Sequence, residues 1–188
     1  DLWPALELHC ETCLDLGWVA LAEQRVVCPD CSRVVDQRRA LLPKKFKAAD
    51  FAHYHAETES VQKIVAAVER WTKVNTPPGL LLHGSSYGAG KTFLACAAFL
   101  AWPLVGVVGS RFEAVPDLLD HIRSGFTHEG SEPTWRQTIQ DVIKCDLLLL
   151  DDLGAPKDSK ASPWERRVLY QVLGARHDEM RPSIFTSN

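Results

Sequence analysis

A glycine-rich loop between two apolar segments is the feature of this 188-residue sequence that most restricts its fold. The loop, residues 84–92, reads Gly-Ser-Ser-Tyr-Gly-Ala-Gly-Lys-Thr; an apolar run at 79–82 precedes it and an apolar segment at 92–102 follows it. A buried strand, a glycine loop and a helix in this order are typical of phosphate binding, because glycines let backbone N–H groups turn inward and the helix N-terminus adds positive potential. The sequence therefore predicts an α/β domain that holds a nucleotide.

The residues of this loop have separate expected roles. We expect the phosphates to be surrounded by Ser86, Tyr87, Gly88, Ala89, Gly90, Lys91, Thr92 and Phe93. Lys91 would reach the β- and γ-phosphates, and the hydroxyl of Thr92 would bind Mg²⁺. ATP and Mg²⁺ are the cofactors that these roles require.

The spacing within the loop departs from the usual pattern by one residue. Five residues separate Gly84 from Gly90, whereas the usual number is four. Either Ser85 takes the first glycine position or the loop bulges near Tyr87. Because glycine clusters are common, an ordinary strand-to-helix turn is the alternative.

Two adjacent carboxylates, Asp151 and Asp152, follow the apolar run 147–150. Ligands of parallel α/β sheets bind beside the carboxyl ends of the strands. We expect Asp151 to hold Mg²⁺ through water, and Asp152 to orient or polarise the attacking water. Asn188 ends the last strand candidate, where its amide would position that water. The expected catalytic residues are Lys91, Asp152 and Asn188, although paired acids at a strand end also occur in solvated turns and helix caps.

Predicted strands and helices alternate along the chain after residue 60. Periodic apolar residues predict helices at 61–71, 92–102, 116–124, 133–144 and 163–177, the last with a capping box at Ser162 and Glu165. Continuous apolar runs predict strands at 79–83, 104–108, 146–150 and 183–187. This alternation indicates a parallel sheet with helices on both faces.

Four cysteines in the first 31 residues form two Cys-x-x-Cys pairs, Cys10 with Cys13 and Cys28 with Cys31, separated by 14 residues. Such a spacing predicts a closed, structural Cys₄ zinc site. A module this short lacks an adequate core, so zinc would supply folding free energy on the order of 10 kcal/mol. Two disulfides, a redox pair or buried cysteines are the alternatives. With no export signal and no apolar span, we expect the reducing cytoplasm, which disfavours disulfides.

A basic stretch follows the cysteines, although the net charge is −3. Between residues 32 and 47 there are six cations and one anion, Asp36. This run could follow a nucleic-acid backbone. We expect a zinc-binding module at 1–40, a basic linker at 41–50 and a nucleotide-binding core at 51–188.

From residue 41 to 188 the chain resembles the AAA+ ATPases of the DnaC/DnaI helicase-loader group, which are related to the IstB transposition ATPases. The resemblance is carried by the segments 80–84, 88–92, 151–154 and 181–188. It implies a three-layer P-loop NTPase sandwich with Walker A at Lys91 and Thr92, Walker B at the two aspartates, and sensor 1 at Asn188. It also implies that residues near Phe51 and Tyr54 lie by the adenine.

The resemblance further implies an ATPase, slow on its own, that loads a replicative DNA helicase onto single-stranded DNA for a phage or a bacterium. The zinc module would bind the helicase, and the ATPase core would self-associate. One alternative is an IstB-like transposition ATPase that acts on duplex DNA with a transposase. Another is a zinc-dependent adaptor that uses nucleotide only structurally.

Both ends of the sequence lead us to expect further residues beyond them. The chain begins without Met and ends at a strand terminus, Asn188. Proteins of this class add a fifth strand, an arginine finger and a helical lid after sensor 1, so we expect a fragment of a longer protein. Of the arginines at 166, 167 and 176, most would be solvated, and one would reach a neighbouring nucleotide or DNA. We expect Cys96 and Cys145 to be core residues.

Overall fold

The computed structural model describes residues 10–13, 18–21, 24–28, 32–73, 79–102, 109–125, 134–154 and 162–188. The strands are β1 (Trp18–Leu21), β2 (Gln24–Val27), β3 (Gly79–His83), β4 (Ser110–Ala114), β5 (Leu147–Asp151) and β6 (Ser183–Ser187). The helices are α1 (Ser32–Leu41), α2 (Glu59–Trp71), α3 (Lys91–Ala101), α4 (Val115–Ser124), α5 (Thr134–Lys144) and α6 (Pro163–Asp178), with a 3₁₀ turn at Lys44–Phe46. No helix in these ranges has the length and apolarity that crossing a bilayer requires.

A four-stranded parallel sheet organises the larger part of the chain. Its order is β3-β6-β5-β4, so strands that are neighbours in space are separated in sequence by helices. All three pairings are parallel, with Leu82 opposite Thr186 and Leu150 opposite Phe185. The carboxyl ends of β3, β5 and β6 therefore meet at one edge, which brings together the residues that follow these strands.

Helices cover both faces of this sheet, because the central strands alternate between two apolar clusters. Leu147, Leu149 and Ile184 belong to a cluster with α2 and α3. Leu148 and Leu150 belong to a second cluster with α4, α5 and α6. The four leucines of β5 are fully buried. The predicted three-layer α/β sandwich with a parallel sheet is thus confirmed.

Strand β4 lies at the end of the sheet and was not among the predicted strands. The prediction had placed a strand at 104–108, which lies outside the described residues. In β4 the charged residues Arg111 and Glu113 flank Phe112, so the segment lacks the continuous apolar run of β5. Burial raises the pKa of Glu113, while Arg111 at 4.0 Å opposes that effect. An edge strand with one neighbour accommodates such side chains because only part of its surface is buried.

Helix α1 packs against α3 and β4, although its sequence is basic. Arg38 is 1% exposed; its guanidinium donates to the carbonyls of Phe99 (3.4 Å) and Trp102 (2.6 Å), and to Ser110 Oγ (3.2 Å). The carbonyls lie in the last turn of α3, where helical partners are lacking. Burial lowers the pKa of Arg38 to about 10, so the side chain stays protonated at neutral pH.

The segment expected to be a linker, residues 41–50, also contacts this part of the molecule. Leu42 and Ala49 are buried in the cluster beneath α3. Arg39 donates to the carbonyl of Lys47 at 3.1 Å. The boundary between a cysteine module and a nucleotide-binding core stays a prediction.

Candidate nucleotide site and cysteine cluster

The glycine-rich loop joins β3 to α3 and has left-handed backbone at two glycines. Gly88 and Gly90 both have φ of 77°. An added Cβ at Gly90 would lie 2.9 Å from the ring of Tyr54, whereas one at Gly84 would meet nothing within 4 Å. Among the described residues, only Asp152 and Met180 have positive φ without being glycine, so Ser85 fits the loop without that strain. The two glycines nearest the helix, Gly88 and Gly90, are thus the ones with left-handed backbone.

Lys91 begins α3, and its side chain turns back over the loop. Its Nζ donates to the carbonyl of Gly84 at 2.8 Å and to that of Ser86 at 2.9 Å. A lysine ammonium in this place puts positive charge inside the curve of the loop. The loop carbonyls hold the ammonium group in the region where a phosphate-binding lysine is required.

Tyr54 contacts the glycine-rich loop from the preceding segment. Its hydroxyl donates to the carbonyl of Ala89 at 2.8 Å, and its ring centroid lies 6.1 Å from that of Phe93. Phe51 packs at the margin of the apolar cluster under α3. Of the two aromatic residues expected near an adenine, Tyr54 therefore lies beside the loop.

The Walker B candidate Asp151 ends β5 and accepts two hydroxyl donors at one oxygen. Thr92 Oγ1 donates to Asp151 Oδ1 at 2.9 Å, and Thr186 Oγ1 donates to the same atom at 2.6 Å. The first contact joins the start of α3 to the end of β5. A hydroxyl and a carboxylate at this distance provide hard oxygen ligands, which Mg²⁺ prefers.

Asp152 has a left-handed backbone, with φ of 68°. This conformation costs about 1–3 kcal/mol in a residue other than glycine and is over-represented at functional sites, although aspartate tolerates it better than most residues. Asn188 Nδ2 donates to Asp152 Oδ1 at 2.9 Å, so the candidate sensor 1 and the second Walker B carboxylate are in direct contact. Gly154 passes close to β6: an added Cβ would lie 3.0 Å from Ser187 Oγ.

The predicted residues of the nucleotide site thus lie in one region, and some of them are hydrogen-bonded to one another. Lys91, Thr92, Asp151, Asp152 and Asn188 lie on the loop, on α3 and at the ends of β5 and β6. Tyr87 is 86% exposed. Lys91 is hydrogen-bonded to the loop, Thr92 to Asp151, and Asn188 to Asp152. The geometry fits a nucleotide with Mg²⁺, because a glycine loop, an ammonium, a hydroxyl and two carboxylates converge.

Sequence reasoning missed the role of Thr186, which is 2% exposed. Its position two residues before Asn188, on a strand whose neighbour ends in carboxylates, was the available signal. Parallel register aligns residues at strand ends, so a hydroxyl in β6 can reach an acid at the end of β5. Only the structure shows that both aspartates contact it.

Two cysteines and an arginine outside the site are structural. Burial raises the pKa of Cys96 to about 12 and also raises that of Cys145, so neither thiol ionises at neutral pH. Arg176 is 1% exposed and donates to the carbonyls of Val142, Ile143 and Cys145. Arg176 is therefore unavailable to a neighbouring nucleotide or to DNA.

Three cysteines cluster near the start of the described chain. The Sγ atoms of Cys10, Cys13 and Cys28 all lie within 4.8 Å of one another, and Cys10 Sγ lies 3.7 Å from Cys28 Sγ. Zn–S bonds of about 2.3 Å in a tetrahedron put sulfurs about 3.8 Å apart, whereas a disulfide bond is about 2.05 Å long. The β1-β2 hairpin separates Cys13 from Cys28. Three of the four predicted ligands thus fit zinc, and Cys31 lies outside the described residues.

The family model of the IstB-like ATP-binding proteins matches residues 18–188. This chain belongs to that family. The match includes the glycine-rich loop, the acidic pair Asp151 and Asp152, and Asn188. The family's name records ATP binding, and the fold is that of the P-loop AAA+ ATPases, so the resemblance to DnaC/DnaI-like ATPases is confirmed.

Solved structures show the same fold. DnaI is 26% identical, with a TM-score of 0.60, over 81% of this chain and 78% of that chain. A putative primosome component from Streptococcus pyogenes serotype M3 is 24% identical, with a TM-score of 0.59, over 78% of this chain and 73% of that chain. DnaA from Aquifex aeolicus, bound to AMPPCP, is 18% identical, with a TM-score of 0.59, over 79% of this chain and 43% of that chain. The last two likenesses show the fold alone. No curated protein matches this chain.

Proposed function

We propose that this member of the IstB-like family binds ATP with Mg²⁺ at the glycine-rich loop and hydrolyses it to ADP and phosphate. The observation that carries the proposal is the convergence of three segments: Thr92 donates to Asp151, and Asn188 donates to Asp152. These bonds join the loop helix α3 to the ends of β5 and β6. Bound Mg²⁺ would neutralise phosphate charge as hydrolysis proceeds.

Each residue of the nucleotide site has a distinct role in this proposal. Lys91 leaves the carbonyls of Gly84 and Ser86 to contact the β- and γ-phosphates. Thr92 and Asp151 hold Mg²⁺, Asp151 through water. Asp152 accepts a hydrogen bond from the attacking water and orients it, and the Asn188 amide fixes the side chain of Asp152.

The cysteine cluster is proposed to hold one structural Zn²⁺ through Cys10, Cys13, Cys28 and Cys31. Its sulfur spacing supports this ligand set. Four thiolates close the coordination shell, so the ion stabilises the hairpin and does not take part in hydrolysis.

At the level of the cell, we propose a cytoplasmic helicase loader. The likeness to DnaI supports a role in DNA replication. The zinc module would contact a replicative DNA helicase, the ATPase core would contact single-stranded DNA and further copies of the chain, and ATP turnover would switch these contacts.

Reconstitution with a replicative helicase tests this role. The protein should co-purify with the helicase and increase its loading onto single-stranded DNA in the presence of ATP. Replacing Cys13 by Ser should weaken helicase binding, while the Lys91→Ala variant should bind the helicase but not release it. No association with any replicative helicase from the source cell would contradict the proposal.

The family name supports a second candidate, a transposition ATPase that acts on duplex DNA with a transposase. The two candidates differ in the polymer that stimulates turnover. Stimulation by duplex DNA and association with a transposase, without helicase binding, would favour the second candidate. A third candidate is an adaptor that binds nucleotide without hydrolysis, for which wild type and Lys91→Ala would show equal background turnover.

A further inference from the structure

We propose that Thr186 is a positioning residue that holds both carboxylates of the acidic pair in their working orientation. The inference rests on the proposed function, because it assigns Thr186 a part in Mg²⁺ binding and in orienting the attacking water. Thr186 lies in β6, two residues before Asn188, and its side chain is 2% exposed.

The Thr186 hydroxyl lies between the two aspartates and bonds to each. It donates its proton to Asp151 Oδ1 at 2.6 Å and accepts from the backbone N–H of Asp152 at 2.8 Å. Since Thr92 also donates to Asp151 Oδ1, two hydroxyls fix that oxygen. The other oxygen, Oδ2, is outside these two bonds and remains for a water of Mg²⁺.

Thr186 also holds the backbone on both sides of the strained residue. Its hydroxyl accepts from the N–H of Asp152, and its carbonyl accepts from the N–H of Leu153 at 2.8 Å. Asp152, with φ of 68°, is held between these two bonds. A left-handed residue other than glycine persists only where its surroundings determine it, and here one threonine supplies both bonds.

The left-handed turn has a chemical consequence. The backbone changes direction immediately after β5, and in this conformation Asp152 Oδ1 accepts a hydrogen bond from the Asn188 amide. If the hydroxyl of Thr186 were lost, the Asp152 N–H would lose its acceptor, and Asp151 Oδ1 would keep a single hydroxyl donor. The carboxylates of Asp151, which would bind Mg²⁺ through water, and of Asp152, which would orient the attacking water, would then be less well fixed in orientation.

Three variants separate this role from simple packing. Thr186→Val keeps the shape and removes the hydroxyl, Thr186→Ser keeps the hydroxyl, and Thr186→Ala removes the hydroxyl with a smaller side chain should valine impair folding. Thr72→Val is the matched control, because Thr72 is also buried and donates to a backbone carbonyl, that of Glu69 at 2.7 Å, on helix α2.

The deciding measurement is the affinity of a non-hydrolysable ATP analogue in Mg²⁺ and in EDTA, with ATP turnover measured beside it. For Thr186→Val we expect the gain in affinity from Mg²⁺ and the turnover rate each to fall about 10- to 100-fold, as for other residues that orient metal ligands. Affinity in EDTA should stay within about twofold of wild type, because the loop is unchanged. Thr186→Ser and Thr72→Val should match wild type.

Two outcomes would overturn the inference: a wild-type Mg²⁺ effect in folded Thr186→Val or Thr186→Ala, or a loss in Thr186→Ser equal to that in Thr186→Val. Failure of the proposed function looks different. If wild type binds the analogue more tightly in Mg²⁺ but does not hydrolyse ATP, hydrolysis is wrong, while the Mg²⁺ effect still decides the part of Thr186.

Discussion

Gly84 and Gly90 lie at opposite ends of the same loop but face different conformational demands. Gly90 has φ of 77° and lies against the ring of Tyr54, whereas Gly84 has open space around it. The sequence pattern treats both as glycines of a phosphate-binding loop. The backbone angle and the contact with Tyr54 show that, of these two glycines, Gly90 is the constrained one.

Gly90→Ala should therefore damage the site. A left-handed alanine costs about 1–2 kcal/mol, and the new Cβ would also displace Tyr54 or the loop. We expect ATP affinity to fall by more than about tenfold, measured by calorimetric titration. Gly84→Ala is the control and should bind ATP as wild type does; equal losses in the two variants would contradict this account.

At the scale of the elements, a buried arginine joins α6 to the end of α5. Arg176 donates to the carbonyls of Val142, Ile143 and Cys145, at 3.0, 2.9 and 2.7 Å. These carbonyls belong to a helix end, where they lack helical partners. The guanidinium of Arg176 therefore adds hydrogen bonds to the apolar packing of α5 against α6.

Arg176→Met should lower the free energy of unfolding by about 2–4 kcal/mol, since it leaves buried carbonyls without donors. Arg167→Met, on the exposed side of the same helix, should change it by no more than about 0.5 kcal/mol. Denaturant unfolding measures both. If Arg176→Met changes the free energy of unfolding by less than about 1 kcal/mol, the structural role given to Arg176 is wrong.

The capping box at the start of α6 gives this helix a pH-dependent contribution. Glu165 accepts from the backbone N–H of Ser162 at 2.6 Å and from Arg123 at 2.9 Å. The hydrogen bond from the Ser162 backbone is the main reason that the pKa of Glu165 is lowered from 4.5. A lowered pKa in the folded state means stabilisation that is present above the unfolded pKa and is lost as the pH falls through the folded one.

We expect Glu165→Gln to be about 0.5 kcal/mol less stable than wild type near pH 6. The difference should shrink as the pH falls below 4.5, because protonation of Glu165 removes the charge that the capping bonds favour. Thermal unfolding across this range measures the difference. A constant difference at every pH would contradict an ionic contribution. Glu11→Gln, at an exposed position outside helix α6, serves as a control.

Helix α1 shows where prediction from sequence stops. Strands β3 and β6 have the predicted bounds, and the helices α2 to α6 agree within two residues, because apolar periodicity and caps define them. Helix α1 was missed, since the six cations between residues 32 and 47 suggest a stretch that could follow a nucleic-acid backbone. Burial of Arg38 depends on carbonyls at the end of α3, more than 60 residues away in sequence. No local sequence pattern predicts a contact between residues so far apart.

For the whole molecule, the zinc proposal predicts one Zn²⁺ per chain, measured by native mass spectrometry. Chelation should unfold the cysteine hairpin and expose four thiols to an alkylating reagent, because the small module lacks another core. Cys96 and Cys145 should stay unmodified in the folded protein, since burial raises their pKa values. Protein without metal that keeps the hairpin and all its thiols protected would contradict zinc dependence.

The candidate site was predictable to the extent that its residues lie at strand and helix ends. The loop, the acidic pair and Asn188 occupy one region because parallel strands place their carboxyl ends together. The left-handed Asp152 and the bonds from Thr186 were not predictable, since they depend on the register between β5 and β6. Sequence thus locates the nucleotide site, and tertiary packing determines how its carboxylates are held.

ATP turnover and binding measured on wild type, Lys91→Ala and Asp152→Asn test the central claim most directly. We expect wild type to bind and hydrolyse ATP, Lys91→Ala to lose binding, and Asp152→Asn to bind ATP with affinity near wild type while turnover falls by about 100-fold or more. The last variant separates binding from chemistry. Turnover in Lys91→Ala or Asp152→Asn equal to that of wild type would contradict hydrolysis at this site.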